Sequence, residues 1–377
     1  MRKIAIITSH PIQYNAPLFA FLAKDSRIDI KVFYTWGTEV LCEKYDPHFQ
    51  QNIKWDIPLL DGYNYEFIRN TSKKPGSHYF NGIINPNLNQ EIEKWGAEIV
   101  WVWGWAFNSH LKALRYFHGK KEVWFRGDST LLNEPKGISI KKQLRRIFLK
   151  WVYNKVDRAF YVGSHNKDYF TKHGLNEDQL IFAPHAIDSV RFSDSTGDFL
   201  DQANRLRNQL GVSKNDHLVF FVGKFEPNKN LIDLINQFND SSMKLLLVGN
   251  GPQENKLREI AKENIYFLPF QNQSMMPIIY RIGDALILNS KSETWGLVIN
   301  EALACGVPVI ASDKCGGSID LINNDNGIIF SNTIELTKIH EFLSKPNFKE
   351  KLHKVNSEIL ETYSYSSILN AVIRSIK

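Results

Sequence analysis

Cysteine is scarce in this sequence: Cys42, Cys305 and Cys315 are the whole complement. The number is odd and no two have the spacing of a metal-binding pair, so no disulfide framework is expected. That excludes a small stapled secreted fold and favours a reducing compartment, which we read as cytoplasmic. Long apolar runs are missing too. No stretch approaches the ~18 residues of a membrane-spanning helix. The apolar part of the opening "MRKIAIITSH" is too short for a secretory leader. An Asp-x-Asp motif occurs nowhere, and no metal or other cofactor is expected. Neither sign of charge dominates: 46 Lys and Arg face 40 Asp and Glu, a net +6. That mild excess fits an anionic substrate or an anionic membrane surface. No element clusters basic with aromatic residues, so a nucleic-acid partner is not expected.

What is present is ample core material, with 43% hydrophobic residues. The length of 377 residues suggests two domains at ~150 residues each. Short apolar runs rich in β-branched residues recur as "KIAIITS", "IDIKVFYT", "AEIVWVW", "EVWFRG", "RAFYVGS" and "LIFAPH". Helical patterns lie between several of them, which argues for a buried parallel sheet covered on both faces. The series restarts at "HLVFFVGK" and continues through "KLLLVGNG", "NIYFLPF", "DALILNS" and "VPVIASD". The polar stretch 188–216 separates the two halves. The expected class is α/β, two Rossmann-like domains facing each other across a cleft. The boundaries are 1–188, 189–360, and a terminal helix in 361–377 that closes the second domain or crosses back to the first.

The densest signal is "SETWGLVINEALACGVPVIAS", from Ser292 to Ser312. "DALILNS" is a strand, "SKSET" the loop at its C-terminal end, and a helix begins near Gly296. Ligands of open α/β sheets bind outside the carboxyl ends of strands. A helix start offers free N–H groups and about half a positive charge to an anion. Glu293 and Glu301 flank that anion site, where carboxylates suit hydroxyls on either side of a diphosphate. The pattern therefore points to a nucleotide sugar.

With its seven-residue gap between glutamates, this stretch resembles the signature of the retaining glycosyltransferases of family 4, which have the GT-B fold. "FVGKFEPNKNLIDLI", "LLLVGNGP" and "APHAIDSVRF" resemble further motifs of that family. The resemblance implies catalytic roles for Glu293 near the transferred sugar and for Lys224 and Lys229 on the diphosphate. It implies donor binding by Glu301 on the ribose, by Gly296, Leu297 and Val298 through the helix start, and by Gly223 and Phe270, the latter near the base. Gly316 and Gly317 match a paired glycine, and Asp320 stands where the family often has glutamate. Under this resemblance 1–188 is an acceptor domain and 189–360 the donor domain. Cys305 and Cys315 read as packing residues.

The first half departs from the family at "TSHPIQYNAPLF", where a glycine pair is common. His10, Gln13, Tyr14 and Asn15 lie past the first strand and are acceptor candidates, or else braces beside Pro11 and Pro17. A similar His-Pro-Ile-Gln-Tyr start occurs in a subset of these enzymes. In "WVWGWAFNSH" the indoles alternate as a strand face would. Trp101 reads as core and Trp105 as a sugar platform. His110 is a weak match to a histidine that touches the donor sugar in relatives. Arg126 and Asp128, past the strand "EVWFR", either meet an acceptor or pair with each other. In 137–155 the stripe Ile140, Leu144, Ile147 and Trp151 belongs to an amphipathic helix that either docks on anionic lipid, giving access to a lipid-linked acceptor, or is a plain surface helix with this face in the core, which is the reading preferred. The basic residues Lys142, Arg145, Arg146 and Lys150 are left for a weak peripheral contact with anionic membrane.

The expected activity is retaining transfer of a sugar from a UDP-linked donor, without a metal, to a hydroxyl of a glycan or lipid-linked acceptor. A nucleotide-sugar epimerase or phosphorylase on the same fold, and a non-catalytic sugar-nucleotide-binding partner, are the alternatives.

Overall fold

A computed structural model describes residues 1–38, 44–46, 51–132, 134, 137, 139–346 and 348–376. Cys42 lies outside the described residues. The described residues form fifteen strands, most of them separated by helices, in chain order β1 (Arg2–Thr8), β2 (Ile28–Tyr34), β3 (Lys44–Asp46), β4 (Gln51–Ile53), β5 (Asn64–Phe67), β6 (Ile99–Trp103), β7 (Glu122–Arg126), β8 (Arg158–Tyr161) and β9 (Leu180–Phe182). The second series is β10 (Leu218–Val222), β11 (Lys244–Val248), β12 (Ile265–Leu268), β13 (Ala285–Leu288), β14 (Val309–Ser312) and β15 (Gly327–Phe330).

The chain divides into two compact units. The first comprises 1–43, 58–184 and 365–377, and holds a parallel sheet of order β5-β2-β1-β6-β7-β8-β9. The second comprises 44–57 and 185–364, and holds a parallel sheet of order β12-β11-β10-β13-β14-β15. Each central strand is sealed on both faces, which is why it reads as an unbroken apolar run rather than an alternating one. Ile4, Ala5, Ile6 and Ile7 of β1 have no exposure, nor have Leu218, Val219, Phe220 and Phe221 around β10.

Strand order reverses once in each sheet, between β1 and β6 in the first and between β10 and β13 in the second. At such a point the loops diverge and leave a crevice outside the carboxyl ends. The sheet orders therefore single out the loops after β1, β6, β10 and β13.

Three features differ from the sequence expectation. The division between units falls after Pro184 rather than 188, and residues 44–57 group with the second unit. Polar contacts seat that segment: Asn272 donates to the Lys54 carbonyl at 2.7 Å, and the Ser274 amide donates to Asp56 at 3.2 Å. The terminal helix, Tyr365–Ser375, takes the second of the two courses the sequence left open and packs on β9 and on the helix Ala16–Leu22 of the first unit.

The third difference is the helix Ile140–Tyr153. Its core face is Leu149, Val152 and Tyr153, all buried. The stripe expected inside faces water instead, with Ile140 82%, Leu144 61%, Ile147 65% and Trp151 41% exposed. Both stripes have helical spacing, so periodicity alone could not choose between them. Leaving such side chains in water forgoes ~1.5–3 kcal/mol each.

Candidate active site

The second unit assembles its site on the loops that leave β10 and β13, on either side of the strand-order reversal. After β10 the chain passes Gly223 and Lys224 and makes a tight turn over Pro227–Lys229. After β13 it runs through Glu293 to the helix Leu297–Ala304. The Lys291 amide donates to the Asn228 carbonyl at 2.8 Å, which ties one loop to the other. Asn289 adds a bond to the Asn230 carbonyl at 3.1 Å.

This bracing brings Lys229 Nζ onto the Glu293 carboxylate as an ion pair, 64 positions apart in the chain. The side chains are 17% and 23% exposed, so the pair is reachable from solvent but partly screened from it. Lys224 is half-buried on the same loop as Lys229. Glu293 itself is set by its backbone: its amide donates to Lys314 O at 3.1 Å and its carbonyl accepts from Gly316 at 3.0 Å. A methyl group on Gly316 would lie 1.9 Å from the Thr294 carbonyl oxygen, so only glycine allows this approach. Gly317 donates to Trp295 O at 2.9 Å.

Gly296 takes φ +90° as the residue before the helix. That left-handed turn strains any residue with a Cβ, and it points the next N–H groups, those of Leu297 and Val298, out of the helix start. Glu301 lies a turn further in and is 1% exposed, with Oε2 accepting from the Tyr280 hydroxyl at 2.5 Å. Phe270 follows β12, its amide already committed to Asn250 Oδ1 at 2.5 Å and its ring 6.1 Å from that of Trp55. Asp320 sits in the short helix Ser318–Leu321.

Several residues that hold this site have no strong local signal. Trp295 is 3% exposed, donates to Asn300 Oδ1 at 2.9 Å and lies 5.6 Å from the His185 ring. Its position beside Gly296 was the only hint available. Tyr280 supports Glu301 from a different helix, 21 residues earlier, and nothing in its surroundings marks it. Burial pushes the Cys305 and Cys315 thiols up to about 12, which keeps both protonated and suits packing.

In the first unit, His10, Gln13, Tyr14 and Asn15 are half-buried in the loop after β1. His10 Nδ1 is 2.9 Å from Ser9 Oγ, and its ring meets Trp36 edge-on at 5.0 Å. Asn15 precedes the helix Ala16–Leu22 without capping it through its side chain. Asp128 is exposed past β7.

Three other candidates have partners within the first unit. Arg126 is 4% exposed and donates to the Ala183 and Pro184 carbonyls at 2.7 and 2.9 Å, with its guanidinium over the Trp103 ring. Burial lowers its pKa to about 10, and Asp128 opposes the shift. Trp105 packs on the first-unit core and against Phe148, ring to ring at 5.4 Å. His110 is fully buried between Thr35 Oγ1 and the Gly104 carbonyl, both at 2.8 Å.

Burial lowers the His110 pKa to about 4. In an unfolded chain histidine titrates near ~6.5. The stability contributed by neutral His110 is therefore full above ~6.5 and lost as pH falls toward 4, by about 3 kcal/mol. Denaturant unfolding of wild type and His110→Gln from pH 7 to pH 4 measures this. The stability difference between them should shrink across that window. A constant difference would mean that His110 is not held neutral.

Residues 202–358, which contain the β10 and β13 loops and their helix, match the family described as glycosyl transferases group 1. The GDP-mannose-dependent alpha-mannosyltransferase of Corynebacterium glutamicum is 27% identical over 61% of this chain and 51% of the relative. The N-acetyl-alpha-D-glucosaminyl L-malate synthase of Bacillus anthracis is 28% identical over 41% of this chain and 43% of the relative. The chain thus spans about half the length of these relatives. Among solved structures, sucrose-phosphate synthase from Thermosynechococcus elongatus superposes with TM-score 0.72 at 18% identity, over 100% of this chain and 98% of that one. Anabaena HepE in complex with UDP-glucose gives TM-score 0.69 at 15% identity, over 100% and 99%. The matched stretch thus sits within a GT-B fold that extends over the whole chain.

Proposed function

We propose that the protein is a retaining glycosyltransferase that moves a sugar from a nucleotide-diphosphate sugar, UDP-linked, to a hydroxyl of a glycan or lipid-linked acceptor. The carrying observation is the Lys229–Glu293 pair on loops braced beside the Gly296 helix start. A diphosphate there competes with Glu293 for the Lys229 ammonium. Once it binds, the Glu293 carboxylate is released to accept hydroxyls of the sugar.

As the bond from sugar to phosphate breaks, negative charge grows on the departing diphosphate. Lys229, Lys224 and the N–H groups of Leu297 and Val298 stabilise that charge, and such preorganised groups favour the transition state most. These cations supply what a metal would, so transfer proceeds unchanged in EDTA. Glu301 accepts from the ribose, oriented by Tyr280 on its other oxygen. The resemblance to family 4 supports retention, with the acceptor hydroxyl attacking on the face the leaving group departs from. On the first unit, the polar loop His10–Asn15 is the acceptor surface of this reading, and peripheral contact with an anionic membrane accompanies a lipid-linked acceptor.

The base decides which nucleotide sugar the protein takes. A relative's name specifies GDP-mannose, while the HepE structure contains UDP-glucose. A thermal-shift series with UDP-, GDP- and ADP-glucose tests it, with Glu301→Gln alongside. At about 100 times Kd a ligand stabilises its protein by ~2.7 kcal/mol, a rise of several degrees. UDP-glucose should produce that rise and Glu301→Gln should reduce it. A rise with GDP-glucose alone would reassign the base. No rise with any of the three would remove the donor-site reading. Conversion of the donor to an epimer without acceptor would contradict transfer.

A further inference from the structure

We propose that the outward face of the helix Ile140–Tyr153 docks on an anionic lipid surface. This names the surface behind the membrane contact in the reading above, and its test has no catalytic readout, so it stands or falls apart from the donor site.

The helix has two apolar faces. Leu149, Val152 and Tyr153 occupy the first-unit core. On the opposite side Ile140, Leu144, Ile147 and Trp151 follow one another at i, i+4, i+7 and i+11, with Phe148 beside them. Exposure is 82, 61, 65 and 41%, and 38% for Phe148. Five of the thirteen large hydrophobic residues exposed among the described residues are on these fourteen positions. Apolar area concentrated this way marks a contact surface, whereas single exposed residues do not.

Charge identifies the partner. The helix "IKKQLRRIFLKWVY" contains no acidic residue. Lys142 and Arg146 share the single charge of Glu134, at 2.9 and 3.3 Å. Lys141 and Arg145 border the exposed stripe on one side and Lys150 on the other, all three in water. Arg115 adds a guanidinium 5.6 Å from the Trp151 ring. An apolar stripe rimmed by cations, with tryptophan at its edge, fits the boundary between anionic headgroups and acyl chains.

A second copy of the chain fits less well. A two-fold contact through this stripe would bring both sets of lysine and arginine together. At ~1.5 Å per residue the helix is too short to cross a bilayer, so it lies along the surface. No helix among the described residues is long and apolar enough to span.

Vesicle flotation tests this with the whole protein. Wild type should float with phosphatidylcholine–phosphatidylglycerol vesicles and stay behind with phosphatidylcholine alone. Leu144→Ser with Ile147→Ser should abolish flotation. Lys141→Gln, Arg145→Gln and Lys150→Gln together should weaken it on the order of a hundredfold, since each basic residue near an anionic surface contributes about a factor of five. Wild type remaining in the aqueous fraction would overturn the proposal, whatever the variants do. So would unchanged flotation of the Leu144/Ile147 variant, or of the charge variant. Light scattering that finds a dimer dissolved by the Leu144/Ile147 substitutions would assign the stripe to a second copy instead.

Discussion

Lys229→Ala is expected to lower glycosyl transfer by about 10²–10³ at saturating donor, the usual loss when one preorganised charge-stabilising group is removed. The ammonium touches Glu293, and both sit where the β10 and β13 loops are braced together. Their partial burial means that water screens the lysine less than an exposed cation. Its charge is therefore worth most as the diphosphate departs. The loss should fall mainly on kcat, because the demand for charge peaks in the transition state. Lys229→Arg should recover little, since a planar fork does not replace a compact ammonium in a formed pocket. Glu293→Gln should also be severe, and the double variant should lose less than the two losses combined, because the residues act on each other. Steady-state kinetics with a saturating UDP-sugar and thermal unfolding on the same samples separate catalysis from stability. Transfer within threefold of wild type in Lys229→Ala would remove the lysine from the mechanism.

Gly316→Ala should cost about 2–4 kcal/mol of stability and abolish donor binding together with it. The added methyl would stand 1.9 Å from the Thr294 carbonyl and 3.4 Å from that of Glu293. These are backbone atoms, so no side-chain rotation relieves the clash. The loop must withdraw, which breaks the hydrogen bond from the Gly316 amide to the Glu293 carbonyl and displaces the carboxylate from Lys229. Cys315→Ala is the control. It keeps the backbone pairing of residue 315 with Glu293 and loses only a buried sulfur. It should therefore retain donor affinity. Chemical denaturation and donor titration decide: wild-type affinity in Gly316→Ala would mean that this approach does not position Glu293.

Much of the molecule was legible because its signals are local. The central strands are buried on both faces, so β1 and β10 show as continuous apolar runs. The loop after β13 was legible because strand, glycine, helix and two glutamates occupy a single stretch. The edge strands β5 and β15 and the short pair β3–β4 escaped notice. Their contacts are fewer, and the sequences "NYEF" and "GIIF" are brief.

The sequence by itself determined two parallel α/β halves and drew attention to the loops after β10 and β13, on which the proposed site rests. The tertiary structure decided which groups act together. It joined Lys229 to Glu293 across 64 positions and set Tyr280 under Glu301. It gave Arg126 and His110 backbone carbonyl partners within the first unit. It moved 44–57 into the second unit, and it chose which apolar face of Ile140–Tyr153 would be dry. Periodicity records that a face is apolar. What covers that face depends on residues far along the chain, and only packing selects them.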